Sequence, residues 1–121
     1  MAKWTGWWEQ RRLGRRMMHN LVLDVAADGE VSGSGDDCIG PFTFEGQFRA
    51  DGTVSLIKQY IGRHWVSYEG QNSGEGIFGT WCISGYWTGK FALRPLAGSD
   101  DACDEIQEMV PVGRAAGTAC R

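Results

Sequence analysis

Apolar and polar residues alternate along most of this chain, and turn-forming dipeptides cut the alternation at short intervals. Over 41–49, Phe42, Phe44, Gly46 and Phe48 share one face, while Thr43, Glu45, Gln47 and Arg49 share the other. Over 86–94, Trp87, Gly89, Phe91 and Leu93 oppose Thr88, Lys90, Ala92 and Arg94, and over 16–25, Leu21, Leu23 and Val25 oppose Asn20 and Asp24. A period of two with one apolar face marks a strand with one side in a core and the other in water. Asp28-Gly29, Asp51-Gly52, Gly62-Arg63 and Ser84-Gly85 each separate two such segments. Dipeptides of this kind supply the positive φ angles that tight hairpins need. With longer breaks at 11–15, 36–41 and 71–76, the pattern predicts eight strands: 3–10, 16–25, 30–35, 41–49, 53–61, 64–70, 76–83 and 86–94. None of these segments keeps a helical period over three turns.

Sequential strands joined by short turns form a meander, and closing the meander removes both exposed edges. The expected fold is therefore all-β, an eight-stranded antiparallel up-and-down β-barrel spanning residues 1–95. A two-sheet sandwich is the alternative, but it would require longer crossover connections. The sequence Asp28-Gly29-Glu30-Val31-Ser32 resembles Asp51-Gly52-Thr53-Val54-Ser55, which points to the same turn chemistry used twice. After Pro95 the character changes. Ser99, Asp100 and Asp101 resemble a helix start, 102–109 continue as a short helix and Pro111 ends it. This C-terminal helix and tail, 96–121, are expected to pack on the barrel or cover one end of it.

Composition adjusts this picture in a few places. The 121 residues include Gly 18 and Pro 3, with 42% hydrophobic residues, which suits strands that bend and lay bulky rings over bare backbone. The net charge is −3, which argues against nucleic acid as a partner. The one basic cluster, Arg11, Arg12, Arg15 and Arg16, reads as a solvated turn, with phosphate contact as the alternative. No apolar run is long enough to span a membrane as a helix, and the N-terminus lacks the apolar core of a signal peptide. A cytoplasmic protein with no membrane partner is expected, with Cys38, Cys82, Cys103 and Cys120 reduced. If the chain is exported, Cys103 with Cys120 is the first disulfide to test. The cysteine spacing fits no zinc site, no glycine-rich phosphate loop precedes a helix, and no nucleophile–histidine pairing follows from spacing. No metal or cofactor is expected.

Candidate chemistry comes from polar residues that share parity with the apolar face. Lys58 falls in register with Val54, Leu56 and Tyr60; His64 with Val66 and Tyr68; His19 with Met17, Leu21 and Leu23. Asp36 and Asp37 end the third strand, at a barrel mouth. A lysine among apolar neighbours must be paired or near water, and burial would lower its pKa toward that of a base or nucleophile. Lys58, Tyr60, Tyr68 and Asp36 thus form the candidate catalytic patch, and His19, Phe42, Phe44, His64, Trp81, Trp87 and Phe91 the candidate ligand-contacting set. Each polar member also has a structural reading, since one bulge would reverse its face. Trp7 and Trp8 are adjacent and must face opposite ways, and Trp65 opposes the His64 face. Such outward aromatics predict a homodimer interface.

Gly6-Trp7-Trp8 on the first strand resembles the Gly-x-Trp that opens the calycin-type barrels, the avidin and lipocalin relatives. An eight-strand meander of this length is closer to the avidin-like ones. The resemblance implies a barrel with a cavity for a small molecule. It does not extend to biotin, because the positions after the first-strand Trp are Glu9, Gln10 and Arg11 rather than small hydrogen-bonding residues. Three functions fit these residues. One is a barrel that binds a small organic ligand among aromatic side chains with a polar patch at one mouth. Another is a cofactor-independent isomerase, cyclase or lyase of the same shape that moves protons through Lys58, Tyr60, Tyr68 and Asp36. The third is a protein-interaction module with a filled core.

Overall fold

A computed structural model of the chain describes residues 2–84 and 87–96. They form strands β1 (Ala2–Gln10), β2 (Gly14–Val25), β3 (Glu30–Asp36), β4 (Pro41–Phe48), β5 (Thr53–Tyr60), β6 (Trp65–Asn72), β7 (Ile77–Ile83) and β8 (Trp87–Pro95). Each strand pairs antiparallel with the next, and β8 returns to β1 to close the barrel. Closure rests on five paired positions, Trp4 with Pro95 through Trp8 with Phe91. The expected helix at 102–109 and the Cys103–Cys120 pair lie outside the described residues.

The hairpins form where the sequence places them, and for the reason it suggests. In the first of the repeated Asp-Gly turns, Gly29 has φ 95°, and the Asp28 carboxylate accepts the Glu30 N–H at 2.9 Å. In the second, Gly52 has φ 94°, and Asp51 accepts the Thr53 N–H at 2.9 Å. Both aspartates act as side-chain mimics of a turn, and both glycines take the left-handed conformation that a side chain would resist.

The inward face fills by pairing glycine against bulk. Across the ladders Gly35 faces Phe42, and Gly33 faces Phe44. Gly6 faces Leu93, and Gly79 faces Phe91 while Trp81 faces Gly89. Each bare backbone lets the ring or branched chain opposite lie across it, so the narrow interior accepts side chains that would collide if every position were large. Phe44, Ile77 and Leu93 are wholly out of solvent in the result. Edge-on aromatic pairs run through this core, Phe42 on Phe44 at 5.3 Å and Phe44 on Tyr68 at 5.2 Å, a geometry worth about 0.5–1.5 kcal/mol per pair beyond burial.

Strand β2 departs from the expected parity. Asn20 adopts φ 55°, and the β2–β3 register shifts between His19 and Val22. This irregularity adds one residue, so the inward side passes from Met18 to Leu21 rather than along Met17, His19 and Leu21. Met18 is accordingly 3% exposed and Met17 46%. His19 lies at the surface, not on the inner face. Cys82 is disulfide-bonded, in contrast to the reduced state expected. Cys38 is free and exposed.

The glycine rule can be tested at Gly79. A Cβ there would meet the Glu69 carbonyl oxygen and, at 2.5 Å, the Gly70 Cα, both of them backbone atoms with nowhere to move. Gly79→Ala is expected to lower stability by about 1–3 kcal/mol, read from the urea unfolding midpoint. Gly62→Ala, in a turn with no neighbour within 4 Å, provides the comparison for backbone strain without crowding.

Candidate functional site

The loops following β1, β3 and β5 gather at one end of the barrel with the end of β7 and the start of β8. The core is packed through the middle, but this mouth stays open as a cavity of about 420 Å³. Trp8 and Gln10 of β1 line it with Leu13, Ile39 and His64 from the loops, Tyr60 of β5, Val66 and Tyr68 of β6, Trp81 and Ile83 of β7, and Trp87 of β8. The wall is aromatic and aliphatic over most of its surface. Trp8 and Trp81 meet edge-on with centroids 5.9 Å apart, and the Trp81 indole is fixed by its N–H donated to the Glu9 carbonyl at 3.1 Å. Trp87 is 55% exposed and stands at the rim.

Below this wall lies a charged cluster. Strand alternation turns Val54, Leu56, Lys58 and Tyr60 inward together, and the Lys58 side chain is 1% exposed. Its Nζ donates to Asp37 Oδ2 at 2.7 Å and to the Tyr68 hydroxyl at 3.2 Å. The same carboxylate oxygen accepts the Tyr60 hydroxyl at 2.7 Å and the Trp8 indole N–H at 3.0 Å. The other oxygen, Oδ1, accepts the Ile39 N–H at 2.9 Å, which folds the β3–β4 loop around the carboxylate. The Asp37 side chain has no solvent exposure. Aromatic faces complete the shell of the ammonium, with Phe42 at 4.3 Å and Tyr60 at 4.7 Å from Nζ to the ring centroid.

These contacts set the protonation states. Burial pushes the Asp37 carboxyl up, but the Lys58 charge and hydrogen bonds from Lys58, Tyr60 and Ile39 outweigh it and hold the group below its ordinary 3.8. Burial pulls Lys58 down from 10.5 to about 8, with the Asp37 charge and hydrogen bond opposing the fall. Burial first, then the hydrogen bond to Asp37, raises the Tyr60 phenol. Burial first, then the Asp37 charge, raises Tyr68. Near neutral pH the cluster therefore holds one ammonium, one carboxylate and two neutral phenols. A charged, paired lysine is a poor base, and an un-ionised phenol acts as a donor. The arrangement is a set of fixed dipoles in a dry site, suited to holding a polar group in place.

The sequence candidates divide accordingly. Lys58, Tyr60 and Tyr68 come together at the floor. Asp36 lies elsewhere, accepting a hydrogen bond from the Asn20 amide at the surface, 3.1 Å away, and its neighbour Asp37 supplies the carboxylate. His64, Trp81 and Trp87 line the cavity, and His64 leans on the Tyr60 ring at 5.1 Å. Phe42, Phe44 and Phe91 are core residues beneath the cavity, and His19 is exposed. Asp37, Trp8 and Ile39 are the members that the candidate sets left out. Asp37 sits one residue past the end of β3 and keeps the parity of Val31, Gly33 and Gly35, which face inward along that strand. Its signal was the adjacent Asp36-Asp37 pair at a strand end. Among the described residues no group of three or more His, Cys, Asp or Glu gathers to hold a metal, nor is any helix long and apolar enough to cross a membrane.

Comparison with family models, with curated proteins and with solved structures finds no match to this chain.

The buried pair makes two predictions. Lys58→Met strands the Asp37 carboxylate and is expected to cost about 3–5 kcal/mol in urea unfolding. The double variant Lys58→Met with Asp37→Leu should regain much of that loss, because neither charge is then left unpaired. On pH, Asp37 has a folded value below its unfolded one, so its contribution is complete above about pH 4 and lost as the pH falls through the folded value. Lys58 also has a folded value below its unfolded one, so its contribution increasingly favours folding between about pH 8 and 10.5. The wild-type urea midpoint should drop more steeply below pH 4 than that of Asp37→Asn.

Proposed function

We propose that this barrel binds a small, largely apolar molecule in the cavity at its mouth. The cavity itself carries the reading. About 420 Å³ of space lies at one end of the barrel above a buried aromatic core, and that falls within the size range of ligand pockets. Its walls are rings already held in place: Trp8 by its hydrogen bond to Asp37, Trp81 by its bond to the Glu9 carbonyl, and Tyr60 by its bond to Asp37. A wall that does not need to reorganise loses little on binding. The closed eight-strand meander is also the arrangement of the calycin-type barrels, whose mouths admit small molecules, and the resemblance in β1 supports the same use here.

The alternative of proton-transfer catalysis draws less support. Lys58 lies under the cavity wall rather than in it, and Asp37 and Tyr68 occupy two of its three protons. The ion pair serves binding indirectly: it anchors the two rings and the β3–β4 loop that form the floor and one side of the pocket. A filled-core interaction module would have no use for the open mouth.

The test is calorimetric titration with naphthalene-2-carboxamide, a neutral aromatic small enough for the cavity. Saturable binding is expected in the wild type, and Trp87→Ala should weaken it about tenfold through the lost ring contact. Trp87 is at the rim and half exposed, so the variant should keep the wild-type urea midpoint. Absence of saturable heat in the wild type, or equal affinity in Trp87→Ala, would count against the mouth as the binding site.

A further inference from the structure

We infer that the open end of this barrel is a docking surface for an anionic lipid membrane, met by exposed apolar side chains of the rim and by three arginines among them. This goes beyond the binding reading above and stands without it, because the rim makes the contact whatever fills the cavity.

Exposed apolar bulk gathers at this end. Among the described residues seven large hydrophobic side chains are exposed, and four of them, Leu13, Ile61, Trp65 and Trp87, belong to the mouth. Leu13 lies in the loop after β1 and Ile61 in the turn after β5, while Trp65 and Trp87 are the first residues of β6 and β8. Each is more than half exposed. Leu13 and Trp87 also edge the cavity, whereas Ile61 and Trp65 stand outside it. The other three, Met17, Val25 and Ile57, are spread along β2 and β5. A single exposed apolar residue needs no explanation, but a group of them among polar neighbours marks a surface for a protein or a membrane. Tryptophan in particular suits the boundary of a bilayer, where its ring meets lipid and its N–H meets water.

Charge decides between the two. Arg11 and Arg12 precede Leu13, and Arg63 lies midway between Ile61 and Trp65; all three arginines are exposed. None of them is in an ion pair among the described residues, and nearby acids are engaged elsewhere, Glu9 with Arg15 and Asp37 with Lys58. Asp36 accepts its hydrogen bond from Asn20. The turns at the opposite end carry Asp28, Asp51 and Glu75, with Arg49 as their one cation. The net charge of −3 is thus unevenly placed, with arginine in the turns at the mouth and mostly acid in the turns opposite. An anionic surface attracts the first end and repels the second, which turns the barrel mouth-down. A second copy of the chain fits the same rim poorly, since a mouth-to-mouth pair would set the three arginines of each copy against one another.

The expectation of no membrane partner rests on the lack of a spanning helix, and a surface contact needs none. Shallow apolar insertion and basic charge are each weak anchors, and they hold when combined. A largely apolar ligand partitions into the same bilayer, so a barrel held mouth-down has its pocket where such a ligand is concentrated.

The experiment is sedimentation of the full chain with sucrose-loaded vesicles at neutral pH. One set is phosphatidylcholine alone, and the other is a three-to-one mixture of phosphatidylcholine and phosphatidylserine. The wild type is expected to pellet with the anionic vesicles in low salt, to be released by high salt, and to stay in solution with the neutral ones. Arg11→Gln with Arg12→Gln should weaken vesicle binding about fivefold for each arginine removed. Ile61→Ser with Trp65→Ser leaves the charge unchanged and should weaken it about tenfold. Ile57→Ser, on the barrel wall, should bind as the wild type does. These positions are exposed, so every variant should keep the wild-type urea midpoint. Neither Ile61 nor Trp65 lines the cavity, so vesicle binding is read separately from small-molecule binding. A wild type that ignores both vesicles, or binds both equally, would overturn the inference. So would an Ile61→Ser with Trp65→Ser variant that holds anionic vesicles as tightly as the wild type. Dimers in sedimentation velocity that this variant abolishes, without any vesicle binding, would give the rim to a second copy and overturn it too.

Discussion

One carboxylate oxygen organises the open end of this barrel. Asp37 Oδ2 receives an ammonium, a phenol and an indole N–H within 3.0 Å, and these donors come from β5 and β1, while Asp37 itself belongs to the loop after β3. Strands far apart around the barrel are thereby tied across its interior rather than through their neighbours. Such a centre stands only because it is complete. In a dry site each missing partner would leave a charge or dipole unpaid, and a fully partnered one holds its neighbours rigid. The aromatic wall above takes its shape from this rigidity, since Trp8 and Tyr60 each have one end in the cluster and the other in the cavity.

The rest of the interior shows why the cluster must sit near an end. In the middle of the barrel, bulky residues lie over glycine backbone and are buried against one another. Toward the mouth that pairing gives way: Gln10 faces Gly14 across β1 and β2, and the wall passes to loop residues. The aromatics that fill the barrel and those that line the pocket are thus successive layers of one packing pattern. Trp81 belongs to both, set against Gly89 in the ladder and against open space above.

Much of this was legible in the residues, and the misses have definite causes. Alternation and Asp-Gly turns placed all eight strands, with bounds shifted by one or two residues, because both signals are local and chemical. Lys58, Tyr60 and Tyr68 were found because strand parity holds without interruption along β5 and β6. Parity failed at β2, where Asn20 in a left-handed conformation reverses the faces, so that His19 goes outward and Met18 inward. Asparagine tolerates that conformation better than most side chains, but nothing local distinguishes it from an ordinary strand residue. Asp36 was chosen for its place at a strand end, whereas the parity of Val31, Gly33 and Gly35 carries on to Asp37. Alternation decided which of two adjacent aspartates joined the cluster: Asp37 shares the inward parity and Asp36 the outward one.

Closure of β8 onto β1 also sets the order of events in the chain's life. Every other pairing joins neighbours in sequence and can form as soon as a hairpin has been made. Trp8 and Trp87 reach the same pocket only when the first and last strands meet, which is the longest loop the fold has to close. A ribosome-bound chain that has emerged as far as β7 would carry most of its hairpins yet lack a finished site. The complete pocket therefore arrives in a single late step, and its appearance would report the completion of folding rather than its progress.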